Sequence, residues 1–291
     1  MERGEAGQDG AGRRALVTGA TSGLGRAMAV ELGRRGWRVA LTGRRKERLS
    51  SAAAAVRSAQ AQRRSNQGPG IPVRDHDCLE LHGSVTEPET VKRHYAAIKE
   101  AWGGLDWSIL NAGVGDSLSA RAFSAENLRW TFETNVFGAG NWLEAVIPDM
   151  VSAGQGTIAG IASLAAYRGL PETGAYSASK AALATLLESV RVDLAGTGVK
   201  VVTVSPGFVK SEITDRNDPE DMVFLLETED GARRIIEGIE RGDRLVHFPW
   251  QLSWPVVHLA PALPSALYDW LVSRLKPRKK RPYVDESRTR R

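Results

Sequence analysis

Cysteine is nearly absent from this chain, which contains Cys78 and no other cysteine among its 291 residues. A single cysteine excludes an internal disulfide and any zinc site built from several cysteines. The sequence also lacks an apolar run long enough to span a membrane, and its N-terminus lacks the charged-then-apolar order of a secretory signal. These absences predict a cytoplasmic protein in a reducing compartment.

Charge is mixed rather than one-sided, with 39 Lys and Arg against 34 Asp and Glu and a formal net charge of +5. Outside one tail the basic residues stand mostly in scattered pairs, whereas a nucleic-acid-binding surface needs them clustered. We therefore expect no nucleic-acid partner. Hydrophobic residues make up 42% of the chain, which is enough for the core of one large α/β domain.

Short β-branched apolar segments alternate with longer amphipathic segments along the chain. This alternation predicts an α/β fold, with a doubly wound parallel sheet of about seven strands and helices on both faces. The segments predicted as strands are 14–19, 37–43, 78–83, 105–110, 156–163 and 199–207.

Composition also predicts where the domain begins and ends. A Gly-rich, charged tail over 1–12 and a polar Gly/Pro insertion over 59–75 show no periodicity, and both are expected to be mobile. A single domain is expected over 13–275, followed by a basic C-terminal tail over 276–291.

The first predicted strand runs into a glycine-rich turn. Gly19, Gly23 and Gly25 allow the backbone to turn tightly and to approach a pyrophosphate closely. A helix begins near Leu24, and the N–H groups and positive dipole end at its N-terminus would bind that anion. Because a strand precedes the turn and a helix follows it, the segment predicts a dinucleotide site.

Six motifs follow one another along the chain in a fixed order. They are TGxxxGxG (18–25), NAG (111–113), TN (134–135), IAS ending at Ser163, YSASK (176–180) and SPG (205–207). Together they resemble the single-domain branch of the short-chain dehydrogenase/reductases, over residues 14 to about 211. The resemblance implies a Rossmann-type fold and NAD(P)-dependent hydride transfer to or from a carbonyl or secondary alcohol.

Tyr176 and Lys180 are four residues apart on a predicted helix, so they share a face that Ser163 at the preceding strand end can reach. The resemblance implies that Ser163 holds a carbonyl, that Tyr176 transfers the proton, and that Asn135 completes a proton relay through a water. An ordinary Tyr, with a pKa of about 10, is a poor acid or base near neutral pH, and a nearby ammonium favours the phenolate. Lys180 supplies that charge and, by resemblance, also binds the nicotinamide ribose.

Two other clusters favour a structural interpretation. Tyr95 and Lys99 have the same spacing but no serine or glycine-rich turn nearby, so we interpret them as an exposed helix face. Neighbouring residues on a strand alternate sides and cannot all ligate one ion, so no metal is expected at 74–80. That segment contains Asp75, His76, Asp77 and Cys78.

The residues after the second predicted strand favour NADP(H) over NAD(H). An acidic residue there binds the ribose 2′-hydroxyl of NAD, whereas arginine pairs with the 2′-phosphate of NADP. Here Gly43 takes the acidic position, followed by Arg44 and Arg45. Ser22 stands where some NADP-using relatives carry a basic residue, and Ser84 where the family often has an Asp near the adenine. We expect a roughly ten- to hundredfold preference for NADPH, which Arg44→Asp should erase or invert.

The full set of residues expected to bind the cofactor combines these motifs with the resemblance. It comprises Thr18, Gly19, Thr21, Ser22, Gly23, Leu24, Gly25, Arg44, Arg45, Ser84, Asn111, Ala112, Gly113, Tyr176, Lys180, Pro206, Gly207, Val209 and Ser211.

The C-terminal third carries the expectations about substrate and membrane. A mobile lid over 211–231, with apolar residues at 222–231, favours a lipophilic substrate. The segment 247–275 contains three tryptophans and four prolines and is followed by a basic run over 276–281, and the prolines exclude a spanning helix. It either closes the substrate pocket with its tryptophans buried, or lies on a membrane surface with its basic residues facing anionic lipid.

Partners and alternative functions complete the expectations. The resemblance implies a homodimer or homotetramer formed through long helices at about 125–153 and 176–195. The alternative function is a dinucleotide-binding regulatory protein without catalysis, but an intact set of Ser163, Tyr176 and Lys180 argues against it. A sugar-nucleotide epimerase or dehydratase is disfavoured because little chain remains after the sixth predicted strand.

Overall fold

The computed structural model describes residues 12–67, 77–216 and 222–274. The strands are β1 (Arg14–Val17), β2 (Arg38–Gly43), β3 (Cys78–His82), β4 (Trp107–Leu110), β5 (Gly156–Ile161), β6 (Val199–Pro206) and β7 (Leu245–Phe248). They form one parallel sheet in the order β3-β2-β1-β4-β5-β6-β7. This sheet confirms the predicted doubly wound α/β fold, and β7 has no counterpart among the predicted segments.

The helices alternate with these strands. They are α1 (Gly23–Arg34), α2 (Lys46–Gln67), α3 (Pro88–Trp102), α4 (Ala125–Phe132), α5 (Gly138–Ser152), α6 (Gly174–Asp193), α7 (Thr228–Arg241), α8 (Trp250–His258) and α9 (Ser265–Val272). Their ends follow local rules: α3 begins with Pro88, whose missing N–H costs nothing in the first turn, and stops at Gly103 with a φ of 77°.

Helices cover both faces of the sheet, as the sequence predicts. α1, α2 and α7 pack on one face in a core cluster that contains Met28 and Ile235. α3, α5 and α6 pack on the other face around Trp142 and Leu187. In α7 the buried residues recur every three to four positions, as in Ile235 and Ile239, so one stripe of the helix meets the sheet. The carboxyl ends of β1 and β4 therefore open between two covered faces, where ligands bind in this class of fold.

The two long helices differ from the prediction in their interruptions and ends. The helix expected over 125–153 is divided by a π-helical turn at Glu133–Phe137, which separates α4 from α5. Such turns are frequent at functional sites, and this one contains Asn135. The helix expected over 176–195 runs from Gly174 to Asp193.

The predicted tails fall almost wholly outside the described residues. Only Gly12 of the tail over 1–12 is described, and none of the basic tail over 276–291 is. The boundaries of the domain over 13–275 therefore stay predictions.

The two internal segments expected to be mobile are partly helical. α2 extends to Gln67, so the first part of the insertion over 59–75 is helix, while 68–75 lies outside the described residues. In the lid over 211–231, residues 217–221 lie outside the described residues, and from Thr228 onward the chain belongs to α7.

The interpretation of Tyr95 and Lys99 as an exposed helix face is wrong for the tyrosine. Tyr95 is buried in the core cluster below α3, and its hydroxyl donates to Asp149 Oδ2 at 2.8 Å. Lys99 is half-exposed and pairs with the same carboxylate at 2.8 Å. The apolar spacing of α3 carries Tyr95 inward because its ring falls on the stripe that also contains Val91 and Ile98.

Candidate active site

The turn between β1 and α1 has a shape that only glycine allows. Gly19 and Gly23 have φ angles of 65° and 50°, in the left-handed region that favours glycine. A Cβ on Gly19 would lie 2.8 Å from the Cα of Ala112, and one on Gly25 would lie 2.4 Å from the carbonyl oxygen of Gly19. The N-terminus of α1 opens from this turn, and the side chain of Ser22 does not cap it. The turn therefore fits an anion such as a pyrophosphate.

A cavity of about 460 Å³ lies against this turn at the carboxyl ends of the strands. It joins the glycine-rich turn to the region of Ser163, Tyr176 and Lys180. The other expected cofactor residues on its walls are Gly19, Thr21, Ser22, Gly23, Leu24, Gly25, Arg44, Arg45, Ser84, Asn111, Ala112, Gly113, Pro206, Gly207, Val209 and Ser211.

Thr18 differs from the expectation, because it lies beneath the cavity and not on its wall. Its buried hydroxyl accepts hydrogen bonds from the backbone N–H groups of Asn111 and Ala112, each at 2.9 Å. The side chain of Asn111 in turn donates to the carbonyl oxygen of Thr18 at 2.9 Å. These bonds tie the end of β1 to the end of β4, so Thr18 and Asn111 position the turn above them.

Ser163, Tyr176 and Lys180 meet at one part of the cavity. Ser163 follows β5, and Tyr176 lies in the first turn of α6 within hydrogen-bond reach of its hydroxyl. The ammonium of Lys180 donates to the carbonyl oxygen of Ile161 at 2.7 Å and lies 5.7 Å from the centroid of the Tyr176 ring. A Cβ on Gly115 would lie 2.8 Å from that ring, so the glycine leaves space for it.

Asn135 lies behind this group and is fully buried. Its side-chain oxygen accepts from the N–H of Val114 at 2.7 Å, and its amide donates to the Val114 carbonyl and to Ser179 Oγ, each at 2.9 Å. Gly113 lies between Asn135 and Lys180, because a Cβ there would be 3.3 Å from the side-chain oxygen of one and the Nζ of the other. The π-helical turn thus holds the segment after β4 against α6.

Burial controls the ionisation of this group. It lowers the pKa of Lys180 to about 8, so the ammonium prevails at neutral pH and is lost as the pH rises through about 8. Burial also raises the pKa of Tyr176, and the hydrogen bond with Ser163 offsets only part of that rise. The expected lowering of the Tyr176 pKa by Lys180 is therefore wrong for the protein alone, where the neutral phenol is favoured.

Arginines line the part of the cavity after β2. Arg45 donates from Nη2 to the hydroxyls of Thr21 at 2.9 Å and Ser22 at 2.7 Å. A Cβ on Gly43 would lie 2.3 Å from the side chain of Thr21, so this position has no room for the acidic residue that NAD-binding proteins carry. Arg48 also lines the cavity. The sequence contains a signal for it, since Arg48 follows Arg45 by three residues and lies in the first turn of α2.

The C-terminal helices do not bury their tryptophans, although the expectation that this segment closes the substrate pocket required it. Trp250, Trp254 and Trp270 are 73%, 52% and 54% exposed, and no described residue of 247–274 is on the cavity wall. Arg168 fastens the segment to the loop after β5 by donating to the carbonyl oxygens of Ala260 and Leu263. Among the described residues, no helix is both long and apolar enough to span a bilayer.

The residues around Cys78 have structural partners. Asp77 pairs with Arg38 at 3.2 Å and with Arg64 at 2.7 Å, and Cys78 is buried. Asp75 and His76 lie outside the described residues. Within the described part of the chain, no cluster of His, Cys, Asp and Glu side chains could hold a metal ion.

Comparisons with known proteins agree with this geometry. The family model described as short chain dehydrogenase matches residues 13–221. An uncharacterized oxidoreductase of Myxococcus xanthus is 45% identical over 91% of this chain and 98% of its own length. The 11-beta-hydroxysteroid dehydrogenase 1A of Arabidopsis thaliana is 30% identical over 89% of this chain and 74% of its own. The crystal structure of levodione reductase has the same fold, with a TM-score of 0.73 at 23% identity, over 83% of this chain and 98% of that one.

Proposed function

The chain belongs to the short-chain dehydrogenase family, and from that premise we propose that it is an NADP(H)-dependent oxidoreductase that interconverts a carbonyl group and a secondary alcohol. The observation that carries this proposal is one cavity lined both by the glycine-rich turn with Arg45 and by Ser163, Tyr176 and Lys180. The nicotinamide, when bound, supplies or accepts the hydride. A regulatory protein would need the turn but not the proton donor.

Side chains of the protein bind the substrate oxygen and transfer its proton. Ser163 donates a hydrogen bond to the substrate oxygen and Tyr176 transfers a proton to or from it. Because burial favours the neutral phenol of Tyr176, the protein alone carries at this position the proton that carbonyl reduction consumes. Lys180 uses one N–H on Ile161, so two N–H groups remain for the nicotinamide ribose.

Asn135 acts by position in this proposal. Its contacts with Val114 and Ser179 hold the wall of the cavity, and Ser179 in turn donates to the carbonyl oxygen of Tyr176 at 2.8 Å. The proton relay through a water that the resemblance implies for Asn135 stays a prediction.

The preference for NADP(H) is supported by the donors after β2. Arg45 is held by Thr21 and Ser22 at the cavity wall, and Arg44 and Arg48 lie on the same wall. Guanidinium and hydroxyl donors fit a phosphate monoester. The missing space beside Gly43 also disfavours the acidic side chain that would select NAD.

A lipophilic substrate is supported by an apolar side chain on the cavity wall and by two exposed ones in the proposed lid. Ile213 lies on the cavity wall, and Val223 and Phe224 of the proposed lid are more than half exposed. A relative named as a hydroxysteroid dehydrogenase fits a large apolar substrate. Transfer of such a substrate from water to an apolar site is favourable.

We also propose a cytoplasmic homodimer or homotetramer with peripheral membrane contact through 247–281. The helices at 125–153 and 176–195 expose Phe137 and Val192 at 55% and 67%, which supports pairing of subunits there. The exposed tryptophans of α8 and α9 support the membrane contact.

The experiment measures kcat/KM with NADPH and with NADH on a panel of apolar ketones and the matching alcohols. The unmodified protein should prefer NADPH by roughly ten- to a hundredfold, and Arg45→Asp should erase or invert that preference, as should Arg44→Asp. Arg57→Asp is the matched control, because Arg57 lies on α2, the helix that follows Arg44 and Arg45, but pairs with Glu80 and is absent from the cavity wall. Equal efficiency with both cofactors would refute the preference. Nucleotide binding without turnover on any carbonyl or alcohol would favour the regulatory alternative.

A further inference from the structure

A carboxylate already occupies the arginine donors of the proposed phosphate site. Glu212 lies on the loop after β6, and its two oxygens accept from Nη1 of Arg45 at 2.8 and 3.1 Å. The hydroxyl of Ser22 donates to the same carboxylate at 3.1 Å, and Arg48 also pairs with it. A glutamate far away in the sequence thus reaches across the cavity wall to the donors proposed for the 2′-phosphate.

The charge state of Glu212 suits this position. Burial would raise its pKa, but the hydrogen bonds and charges of Arg45, Arg48 and Ser22 outweigh burial and hold the pKa below its ordinary value. Glu212 is therefore an anion at neutral pH, with oxygen acceptors spaced much like two oxygens of a phosphate.

The contact is also weak enough to exchange. The side chains of Glu212 and Arg45 are 45% and 34% exposed, and ion pairs at such exposure are weak and screened by salt. A phosphate monoester carries up to two negative charges, so it attracts the same donors more strongly than one carboxylate does.

We propose that Glu212 competes with the 2′-phosphate of NADP(H) for Arg45 and Arg48, and so limits the affinity for the phosphorylated cofactor. This inference rests on the proposed binding of NADP(H) at these arginines. NAD(H) carries a hydroxyl in place of the phosphate, so it neither needs these donors nor meets repulsion from Glu212. Glu212 is therefore a specificity determinant that lowers the preference below what the arginines alone would give.

The test is a titration of NADPH and of NADH by ligand fluorescence at low salt, where the contact is least screened. Glu212→Gln should lower the Kd for NADPH by about three- to tenfold and leave the Kd for NADH unchanged. Glu227→Gln is the matched control, because it removes the same charge from an exposed residue that pairs with Lys210 and is absent from the cavity wall. It should change neither Kd by more than about twofold. Glu212→Ala, at this exposed position, should repeat the effect.

A variant that lacks both arginines distinguishes competition for Arg45 and Arg48 from a general repulsion between Glu212 and the phosphate. When Arg45→Ala and Arg48→Ala are already present, Glu212→Gln should no longer alter the Kd for NADPH. Three results would each overturn the inference. Glu212→Gln could lower the Kd for NADPH as much in that background as in the unmodified protein. In the unmodified protein it could change that Kd no more than Glu227→Gln does, or it could raise it. If the unmodified protein binds NADPH no better than NADH, the proposed preference fails. A selective gain for NADPH in Glu212→Gln would still support the competition.

Discussion

At the scale of single residues, Tyr176 and Tyr95 each precede a lysine by four positions, yet their hydroxyl groups have different surroundings. The hydroxyl of Tyr176 meets Ser163 at the cavity wall. The hydroxyl of Tyr95 donates to Asp149, which also takes the charge of Lys99. The phenol of Tyr176 can therefore reach a substrate oxygen, whereas the phenol of Tyr95 makes a structural contact.

Replacing the two tyrosines should therefore separate catalysis from stability. Tyr176→Phe removes the proposed proton donor, so kcat/KM on an accepted carbonyl should fall by about 10²- to 10⁴-fold while the Kd for NADPH stays within about twofold. Tyr95→Phe should keep the rate and lose about 1 kcal/mol of unfolding free energy, because the bond to Asp149 is lost. Steady-state kinetics, cofactor titration and urea denaturation measure these quantities. Wild-type rates in both variants would show that the catalytic assignment is wrong.

The positions of Ser163, Tyr176 and Lys180 could be predicted because each depends on local geometry. A helical spacing places the tyrosine and lysine on one face, and a strand end places the serine beside them. The raised pKa of Tyr176 could not be predicted, because it depends on how much of the surrounding chain buries the ring. The contact of Glu212 with Arg45 joins residues distant in sequence through two loops, and no periodic pattern indicates it.

At the scale of elements, the turn into α1 depends on the absence of side chains. A Cβ on Gly25 would lie 2.4 Å from the carbonyl oxygen of Gly19 and 2.5 Å from the side-chain nitrogen of Asn111. The two atoms hold each other in place, because the side chain of Asn111 donates to the carbonyl oxygens of both Thr18 and Gly19. Relief of the clash must move the turn or the start of α1, and both form the proposed pyrophosphate site.

Gly25→Ala should therefore weaken NADPH binding by more than about tenfold and lower the unfolding free energy by about 1–3 kcal/mol. Gly140→Ala in α5 is the control, because a Cβ there would meet nothing within 4 Å. Alanine is the better helix former, so this variant should gain up to about 1 kcal/mol and bind NADPH as before. Cofactor titration and urea denaturation of both variants test the argument. The same response in both would mean that the turn tolerates a side chain.

Elements buried in the sheet were more predictable than those at the C-terminus. β-branched runs such as that of β6 stand out because both faces of a central strand are covered. The π-helical turn at Asn135 leaves the apolar pattern of α4 and α5 nearly continuous, so the pattern predicts one long helix. In α8, Pro255 lies inside the helix and the tryptophans face outward, so neither composition nor period indicates its packing.

At the scale of the whole molecule, the C-terminal helices have exposed tryptophans and are followed along the chain by the most basic run of the sequence. Trp250, Trp254 and Trp270 are each more than half exposed. The basic run begins after α9, outside the described residues, and contains Lys276, Arg278, Lys279, Lys280 and Arg281. Tryptophan is favoured at the headgroup level of a bilayer, and each basic residue near an anionic surface contributes about 1 kcal/mol.

This combination should bind the protein to anionic membranes in a salt-dependent way. We expect it to sediment with phosphatidylserine vesicles at low salt, to be released as salt screens the basic run, and to leave uncharged phosphatidylcholine vesicles largely unbound. A variant with Ser at Trp250, Trp254 and Trp270 should lose most of the sedimentation. Phe123→Ser is the control, because Phe123 is also exposed but lies far along the chain from this segment. Failure of the unmodified protein to sediment at any salt would refute the membrane contact proposed for 247–281.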